Sequence, residues 1–420
     1  MSDFLQRTSL TPIPVQHPLR GRLTLPGSKS ITNRALLLAA LARGTSRLSG
    51  ALKSADTHWM AQALRAMGVT VEEPSADSFV VHSEGRLVAA QEPLFLGNAG
   101  TAMRFLTAAV ANVEGQVVLD GDEHMRKRPI EPLVQALRAL GLEISASGAC
   151  PPVTVQGAGC LRGGRIEIDG GLSSQYVSAL LMAAACAEGP CEVALLGSEI
   201  GARGYIDLTL AAMRAFGAEV EQLDAATWRI LPTGYRACDF VIEPDASAAT
   251  YLWAAEALTG GAIDLGVPAD AFIQPDARAK AVIDAFPEMP AVIDGSQMQD
   301  AIPTLAVLAA FNRTPVRFTG IANLRVKECD RVAALATELS RIRPGLGIEE
   351  GDDLLVASDP SLVGQHLPAR IETYADHRIA MSFALAALKI EGLEILDPGC
   401  VAKTYPGYWD ALQALGVRYR

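Results

Sequence analysis

The sequence predicts an α/β protein of two domains, each with buried helices wrapped by sheet. Three observations lead to this prediction: two helix types alternate along the chain, strands follow the helices after short turns, and the 420 residues are enough for two or three cores. A pattern that recurs in a constant order indicates one supersecondary unit used several times. We therefore expect each domain to be built from copies of one βα unit.

The first helix type is rich in Ala and Leu, is apolar almost all round, and runs through a turn into a β-branched strand. A helix that is apolar on every side is expected to be buried. This type occurs six times, as NRALLLAALARGTSRLSG, AMRFLTAAVANVEGQVVLDG, QYVSALLMAAACAEGPCEVALLG, AATYLWAAEALTGGAIDLGV, IPTLAVLAAFNRTPVRFTGI and HRIAMSFALAALKIEGLEILDP.

The second helix type is amphipathic and follows each of the first. Four of these helices end at a glycine, a common C-cap, before a strand begins. The six segments are DTHWMAQALRAMGVTVEE, RPIEPLVQALRALGLEISAS, YIDLTLAAMRAFGAEVEQ, QPDARAKAVIDAFPEMPAVID, ECDRVAALATELSRIRPGLGIEE and KTYPGYWDALQALGVRYR. The repeating unit is thus a strand, a buried helix, a strand, an outer helix and one or two further strands.

Six units in a chain of this size divide most naturally into two domains of three, inside-out relative to common α/β folds. We predict a discontinuous domain of residues 1–26 plus 244–420 and an inserted domain of residues 27–243. Pro26 and Gly27 then mark a crossing between the domains.

Composition excludes several classes of protein. The net charge of −11 argues against a nucleic-acid binder or a binder of anionic membranes, because both need a basic face. No apolar run approaches a membrane span, and the first residues lack the pattern of a secretory signal. Seven cysteines without a C-x-x-C pair indicate reduced thiols. We therefore expect a cytoplasmic protein, a monomer, without nucleic-acid or membrane partners.

Cations gather where the buried helices begin, although a cation there opposes the helix dipole. Lys29, Arg34, Arg104 and Arg378 lie in or near such first turns. Helix N-termini suit anions, and arginine forks suit carboxylate and phosphate. Solvated surface charges or local ion pairs are the alternative for any one residue. The joint placement in an acidic protein predicts a small, multiply anionic ligand.

Two other interpretations fail on spacing. GSKS resembles part of a P-loop, but Ser28 stands between Gly27 and Lys29, so the Walker A pattern is absent. The six histidines are scattered without an i, i+4 pair, which argues against a metal site. His377, between Asp376 and Arg378, is the histidine that we expect to be functional.

Eight motifs together resemble the 5-enolpyruvylshikimate-3-phosphate (EPSP) synthase family, in order from about residue 19 to 417. They are LPGSKSITNRALLLAALA, LFLGNAGTAMRFL, RPIEPLVQAL, GLSSQYVSALLMAA, EPDASAATYLWAA, NLRVKECDR, YADHRIAM and AKTYPGYW. The resemblance implies two domains, each of three βαβαββ repeats with buried parallel helices, and an active site in the interdomain cleft. It also implies transfer of the enolpyruvyl group of phosphoenolpyruvate to the 5-hydroxyl of shikimate 3-phosphate, without a metal or organic cofactor.

The resemblance also implies roles for individual residues. Asp300 is expected to accept the hydroxyl proton and Glu328 to transfer a proton at C3, with Lys29 and His377 as alternatives because coupled neighbours share their titration. Contacts to shikimate 3-phosphate are expected from Lys29, Ser30, Arg34, Ser173, Ser174, Gln175, Asp300, Asn323 and Lys327. Contacts to phosphoenolpyruvate are expected from Lys29, Asn98, Gly100, Arg128, Gln175, Arg331, Arg378 and Lys403.

The sequence departs from the family pattern at three places. Ala202 stands where many members have a serine on the substrate phosphate, and Arg203 or Tyr205 is expected to compensate. Phe105 replaces a common proline, which leaves sensitivity to glyphosate, the family's phosphoenolpyruvate mimic, open. Asp300 lies in QDAIPTL rather than the commoner PDAAMT.

Two rival functions remain. One is the sister transferase that acts on UDP-N-acetylglucosamine, but the loop DGDEHMRKRP lacks its reactive cysteine. The other is a non-catalytic protein that binds anionic metabolites, for which Asp300 and Glu328 would not be needed.

Overall fold

The computed structural model of the chain describes residues 3–171, 173–197 and 201–420. They form two compact units with separate hydrophobic cores. The inserted unit is Gly27–Pro244, and the terminal unit combines the residues up to Pro26 with Asp245–Arg420. None of the helices in these described ranges has the length and apolar character needed to span a bilayer.

The chain enters and leaves the inserted unit at neighbouring points, because Gly27 forms an antiparallel β-bridge with Pro244. A Cβ atom on Gly27 would lie 1.9 Å from the carbonyl oxygen of Gly50. Only glycine lets the two backbone segments approach this closely.

Twelve α-helices occur in the described residues, and the two types alternate along the chain as the sequence predicts. The six apolar helices are α1 (Lys29–Leu41), α3 (Gly100–Ala109), α5 (Ser174–Ala184), α7 (Ala246–Thr259), α9 (Ile302–Ala309) and α11 (His377–Ala387). The six amphipathic helices are α2 (Ala55–Ala66), α4 (Glu131–Ala139), α6 (Arg203–Ala215), α8 (Ala279–Asp284), α10 (Arg331–Ile342) and α12 (Tyr408–Ala414). Every residue of α3, α9 and α11 is buried, which confirms the expectation for apolar helices.

The described residues also form twenty-four strands, most of them short. In chain order β1–β12 are Ser9–Leu10, Pro12–Ile13, Arg20–Arg22, Ala42–Ser49, Thr70–Ser75, Ser78–Glu84, Leu94–Phe95, Glu114–Asp120, Glu143–Ser147, Cys150–Ala158, Gly164–Asp169 and Cys191–Leu196. Strands β13–β24 are Val220–Gln222, Thr227–Ile230, Tyr235–Arg236, Asp239–Val241, Ala262–Asp264, Val292–Asp294, Val316–Thr319, Gly347–Glu350, Asp353–Val356, His366–Ile371, Glu391–Leu396 and Arg418–Tyr419.

The three sheets of the inserted unit have one topology. Their strand orders are β7-β8-β10-β9, β11-β12-β14-β13 and β15-β4-β6-β5, and β16 also pairs with β4. In each sheet the first two strands are parallel, as are β16 and β4, and the other pairs are antiparallel. The βαβαββ unit is thus present three times, with the first strand of the first repeat supplied by the end of the unit.

The terminal unit has the same topology in β18-β19-β21-β20. Its last repeat is completed by the start of the chain, because β1 pairs with β23 and β2 pairs with β24. Its first repeat is shorter than the resemblance implies: β3 pairs with β17, but after α8 the chain reaches β18 through residues 285–291 alone. This segment has no room for two strands, and its prolines at 287 and 290 cannot donate a ladder hydrogen bond.

Candidate functional site

The predicted site residues lie in both units, and many of them stand where a buried helix begins. Ser28 caps α1 by accepting a hydrogen bond from the N–H of Ile31, and Ser173 caps α5 by accepting one from the N–H of Gln175. Asp376 caps α11 in the same way. Helix α3 follows Ala99 and has no side-chain cap. An N-terminus without a side-chain cap is suited to a ligand anion.

Lys29 is the first residue of α1, and its Nζ lies 3.6 Å from Oδ2 of Asp56 near the start of α2. The side chains of Lys29 and Asp56 are only 12% and 2% exposed. A mostly buried ammonium group needs anionic partners. The ammonium group of Lys29 at the start of α1 is unfavourable for the helix itself, but it is well placed to bind an anion.

Arg34 lies in the second turn of α1 and is buried. Its Nε donates to Thr209 Oγ1 at 2.7 Å, and its Nη1 donates to the carbonyl oxygen and the hydroxyl of Ser30 at 2.9 and 3.2 Å. Its Nη2 donates to Ser178 Oγ and to the carbonyl oxygen of Tyr205, both at 3.2 Å. These contacts match the five N–H donors of a guanidinium group. Arg34 thus fastens α1 to α5 and α6.

Arg34 contacts an aromatic side chain in addition to its hydrogen-bond acceptors. Its Cζ lies 5.0 Å from the ring centroid of Phe105. Burial lowers the pKa of Arg34 to about 10, so the group is still charged at neutral pH. The predicted contact of Arg34 with shikimate 3-phosphate stays a prediction, and the substrate would have to replace one of these hydrogen bonds.

Arg128 lies against the start of α3. Its Nη1 donates to the side-chain oxygen of Asn98 at 3.0 Å and to the Asn98 carbonyl oxygen at 3.3 Å. A Cβ atom on Gly100 would lie 2.6 Å from both Nη atoms of Arg128. The structure therefore brings Asn98, Gly100 and Arg128 together, and the glycine leaves space for the guanidinium group.

We expect the substitution Gly100→Ala to displace Arg128 without unfolding the protein, because the end of a long side chain can move. If Arg128 binds phosphoenolpyruvate, as the resemblance implies, the KM for that substrate should rise about tenfold through loss of a charge-assisted hydrogen bond. Steady-state kinetics and thermal unfolding measure the two effects. Gly407→Ala is the matched control, since Gly407 also stands at a helix start and a Cβ there meets nothing within 4 Å. An unchanged KM for Gly100→Ala would contradict the prediction.

The loop that carries Arg128 is fixed at Pro129. The carbonyl oxygen of Pro129 accepts hydrogen bonds from Arg104 Nη2 at 2.9 Å and from the hydroxyl of Tyr176 at 2.6 Å. Arg126 instead makes a surface pair with Asp120, and its hydrogen bond lowers the pKa of that carboxyl group. Arg128, rather than Arg126, is therefore the arginine of this loop that contacts the start of α3.

The remaining predicted residues of the inserted unit start α5 and α6. Ser174 is buried and Gln175 is half-buried. Ala202 has a left-handed backbone (φ 52°) directly before α6. Arg203 donates to the carbonyl oxygen of Ala225. Compensation for Ala202 by Arg203 or Tyr205 stays a prediction.

In the terminal unit, a buried charge cluster surrounds Arg331, the first residue of α10. Arg331 donates from Nε to Asp376 Oδ2 at 2.8 Å, from Nη1 to Asp300 Oδ1 at 3.2 Å and from Nη2 to Glu328 Oε2 at 2.8 Å. The Arg331 side chain is 1% exposed. Burial opposes its charge, yet the carboxylates of Asp376, Glu328 and Asp300 raise the pKa of Arg331 above its ordinary value.

Arg378 joins the same cluster from α11. Its Nη2 donates to Asp300 Oδ2 at 2.8 Å and its Nη1 donates to the hydroxyl of Tyr251 at 3.3 Å. The backbone N–H of Arg378 donates to Asp376 Oδ1 at 2.8 Å. Burial raises the pKa of Tyr251 to about 12, so this hydroxyl remains protonated. Asp300 thus accepts from two arginines.

Two further predicted residues contact the cluster. Nζ of Lys403 lies 3.7 Å from Oε1 of Glu328, and Nδ1 of His377 lies 3.6 Å from Oδ1 of Asp376. Asn323 donates to the side chain of Gln299. Lys327 is half-buried in the same loop as Glu328.

The cluster balances its charges. Among the described residues, Arg331, Arg378 and Lys403 lie within 4 Å of carboxylates of Asp300, Glu328 and Asp376. An arriving anion therefore competes with carboxylates for the same guanidinium groups. Within the described ranges no group of three His, Cys, Asp or Glu side chains is arranged to hold a metal ion.

Two members of the cluster were not among the predicted site residues. Asp376 is fully buried and binds Arg331 through both oxygens, and its place between Ala375 and His377 in YADHR was the available signal. Tyr251 lies in α7, and its sequence surroundings are apolar. No sequence pattern distinguishes it from a core residue.

Comparison with known proteins agrees with this architecture. The enolpyruvyl transferase NikO from Streptomyces tendae superposes with a TM-score of 0.73 over 98% of both chains at 18% identity, which shows a shared fold. An EPSP synthase structure from Acinetobacter baumannii gives a TM-score of 0.78 at 25% identity, covering 99% of this chain and 100% of that one. The fold is that of the enolpyruvyl transferases.

The sequence matches narrow the class further. Residues 13–412 match the model of EPSP synthase (3-phosphoshikimate 1-carboxyvinyltransferase). The 3-phosphoshikimate 1-carboxyvinyltransferases of Rhizobium leguminosarum bv. trifolii and Pseudomonas syringae pv. syringae are each 70% identical over 411 residues, 98% of either chain. That of Vibrio campbellii is 40% identical, over 97% of this chain and 99% of its own. The chain belongs to the EPSP synthase family.

Proposed function

We propose that the protein transfers the enolpyruvyl group of phosphoenolpyruvate to the 5-hydroxyl of shikimate 3-phosphate and releases phosphate, as a step of the shikimate pathway. The observation that carries the proposal is the charge cluster at Arg331, which holds two potential acid–base carboxylates among three cations in a chain of this family. Neither a structural repeat protein nor a simple anion binder requires Asp300 and Glu328 beside these cations.

Shikimate 3-phosphate requires donors for a phosphate and for ring hydroxyls. Hydroxyl, amide and ammonium groups supply them. We assign this substrate to residues from the starts of α1 and α5 and from the segments before α9 and α10, namely Lys29, Ser30, Arg34, Ser173, Ser174, Gln175, Asp300, Asn323 and Lys327.

Phosphoenolpyruvate carries a carboxylate and a phosphate, so it requires dense positive charge. Arginine forks bind such groups through two parallel hydrogen bonds. We assign it to Lys29, Asn98, Gly100, Arg128, Gln175, Arg331, Arg378 and Lys403. The assignment of Arg128 is supported by its place at the start of α3, which has no side-chain cap. The assignment of Arg331, Arg378 and Lys403 is supported by their common charge cluster.

The chemistry is an addition followed by an elimination. In the addition, the 5-hydroxyl oxygen attacks C2 of phosphoenolpyruvate, its proton passes to Asp300, and C3 gains a proton from Glu328. In the elimination, phosphate leaves C2 and takes up the proton held by Asp300, while the carboxylate of Glu328 takes a proton back from C3, which gives the enol ether and restores both carboxyl groups. The cations stabilise the negative charge that the phosphate carries away.

Glu328 lies between two cations that we also assign to phosphoenolpyruvate. Its carboxylate accepts from Arg331 and lies beside Lys403. An anion that binds these two cations competes with Glu328 for them, which frees its carboxyl group for proton transfer at C3. Lys29 and His377 are the alternative participants in proton transfer.

We further propose that the protein acts in the cytoplasm as a monomer. Its seven cysteines are free thiols, and its net charge of −11 is unsuited to nucleic acid or anionic membranes.

A coupled assay tests the proposal. Purified protein should release phosphate when shikimate 3-phosphate and phosphoenolpyruvate are supplied together, and the product should carry one enolpyruvyl group by mass spectrometry. Each substrate alone is the control. Release with UDP-N-acetylglucosamine as acceptor instead, or with neither acceptor, would overturn it.

A further inference from the structure

The turn that leads into α11 has an unfavourable backbone. Tyr374 and Ala375 are adjacent, neither is glycine, and both have left-handed φ angles of 55° and 52°. A left-handed conformation is unfavourable for a residue with a Cβ, so the pair requires support from its surroundings. The residues that follow directly are Asp376, His377 and Arg378 of the charge cluster.

One buried carboxylate supplies much of this support. Glu338 lies on α10 and is fully buried. Its Oε1 accepts a hydrogen bond from the hydroxyl of Tyr374 at 2.7 Å, and its Oε2 accepts one from the backbone N–H of Glu372 at 3.2 Å. Arg341 donates to both oxygens, at 2.8 and 3.2 Å, which compensates the buried charge. Glu338 thus binds the turn on both sides of Thr373.

Helix α10 also binds the turn at a second point. Arg331, two helical turns before Glu338 on α10, binds Asp376 through Nε and Nη2 at 2.8 and 3.2 Å. Asp376 in turn accepts from the N–H of Arg378. Two charged residues of α10 therefore hold the turn. Arg331 belongs to the site, and Glu338 does not touch it.

We propose that Glu338 is a positioning residue for phosphoenolpyruvate binding: through Tyr374 it holds the left-handed turn that sets Asp376 and Arg378 against Arg331. The expected effect on the KM for phosphoenolpyruvate rests on the proposed function, but the expected effect on the conformation of the turn does not. Burial together with the Glu338 carboxylate raises the pKa of Tyr374, so the phenol remains a donor throughout the working pH range.

The sharpest test removes a single donor. Tyr374→Phe deletes the hydroxyl and keeps the ring, and it should raise the KM for phosphoenolpyruvate about tenfold with little change in kcat, as expected for loss of a hydrogen bond to a charged group. Glu338→Gln should act in the same direction. Tyr419→Phe is the matched control, because it removes a comparable hydrogen bond, from Tyr419 to the carbonyl oxygen of Trp409, in the same unit.

A second substitution separates positioning from stability. Glycine adopts left-handed angles without a Cβ penalty, so adding Ala375→Gly to Tyr374→Phe should recover about fivefold in KM. Hydrogen exchange at the amides of residues 373–378 should be faster in Tyr374→Phe and not in Tyr419→Phe. This measurement does not depend on activity, so it separates failure of the positioning role from failure of the proposed function.

The outcomes decide the proposal. A raised KM with faster exchange in Tyr374→Phe, and a partly recovered KM in the double variant, supports it. An unchanged KM overturns the positioning role, whether exchange is faster or not. The proposal is also overturned if KM rises in proportion to the loss of thermal stability in both Tyr374→Phe and Tyr419→Phe. The rise would then be a general effect of lower stability.

Discussion

The substitution Lys29→Met is expected to lower turnover about a thousandfold while the protein stays folded. Lys29 begins α1, is mostly buried, and faces Asp56. Methionine keeps the length of the side chain but cannot stabilise the anionic groups that we assign to it, and loss of one preorganised donor from a transition state costs about 10²–10³ in rate. Phosphate release under saturating substrates measures the loss, and circular dichroism measures the fold.

Lys53→Met provides the matched control for this variant. Lys53 lies in the same unit, pairs with Glu73 at 2.8 Å and contacts the ring of Phe79, so the same substitution removes a similar ion pair away from the proposed site. Its turnover should stay within about twofold of the unsubstituted protein, as expected for a partly exposed pair. Equal losses in both variants would mean that Lys29 acts through stability, and full activity of Lys29→Met would show that the start of α1 has been misassigned.

The substitution Asp300→Asn is expected to separate catalysis from binding. Removal of a general base lowers kcat by about 10²–10⁴. The KM for phosphoenolpyruvate should not rise, because Arg331 and Arg378 lose a competing negative charge that they contact at 3.2 and 2.8 Å. A large fall in kcat with an equal or lower KM is therefore the expected signature, measured by initial rates at varied phosphoenolpyruvate.

Asp352→Asn controls for the loss of a carboxylate bound to an arginine. Asp352 accepts from Nε of Arg325 at 2.7 Å at the surface of the same unit. Its kinetic constants should be unchanged. If Asp300→Asn instead raised KM and left kcat intact, Asp300 would be a binding residue and the base would have to be sought at Lys29, Glu328 or His377.

Local patterns were sufficient to predict the repeating architecture. Helices such as α9, which is apolar on every face, can only be stable in a core, and the sequence shows this directly. The short first repeat of the terminal unit was not predicted from the helices, because α8 has the expected amphipathic pattern. The segment between α8 and β18 is too short for two further strands, and the pattern of the helix gives no information on the length of the segment that follows it.

The site was predicted less completely, for a physical reason. Lys29 and Arg378 could be selected because cations are unusual at helix starts, whereas Arg331 was expected only through the family resemblance. The partners that neutralise them come from distant segments: Arg331 and Asp376 are 45 positions apart, and Arg34 and Thr209 are 175 apart. A single sequence contains no sign of such pairs. It also could not reveal that Arg34 already uses its donors within the inserted unit.

The pairing of β1 with β23 has a consequence for the order in which the chain folds. Ser9 lies opposite Leu396, so the chain must be synthesised at least as far as residue 396 before this contact can form. The inserted unit is continuous in sequence, from Gly27 to Pro244, so it can begin to fold while later residues are still being synthesised. Strands β1 and β2 must meanwhile remain unpaired, because their partners are β23 and β24, whereas β3 can pair earlier with β17. Completion of the last repeat therefore joins segments that are far apart in the sequence, which makes it a late step in the folding of the terminal unit.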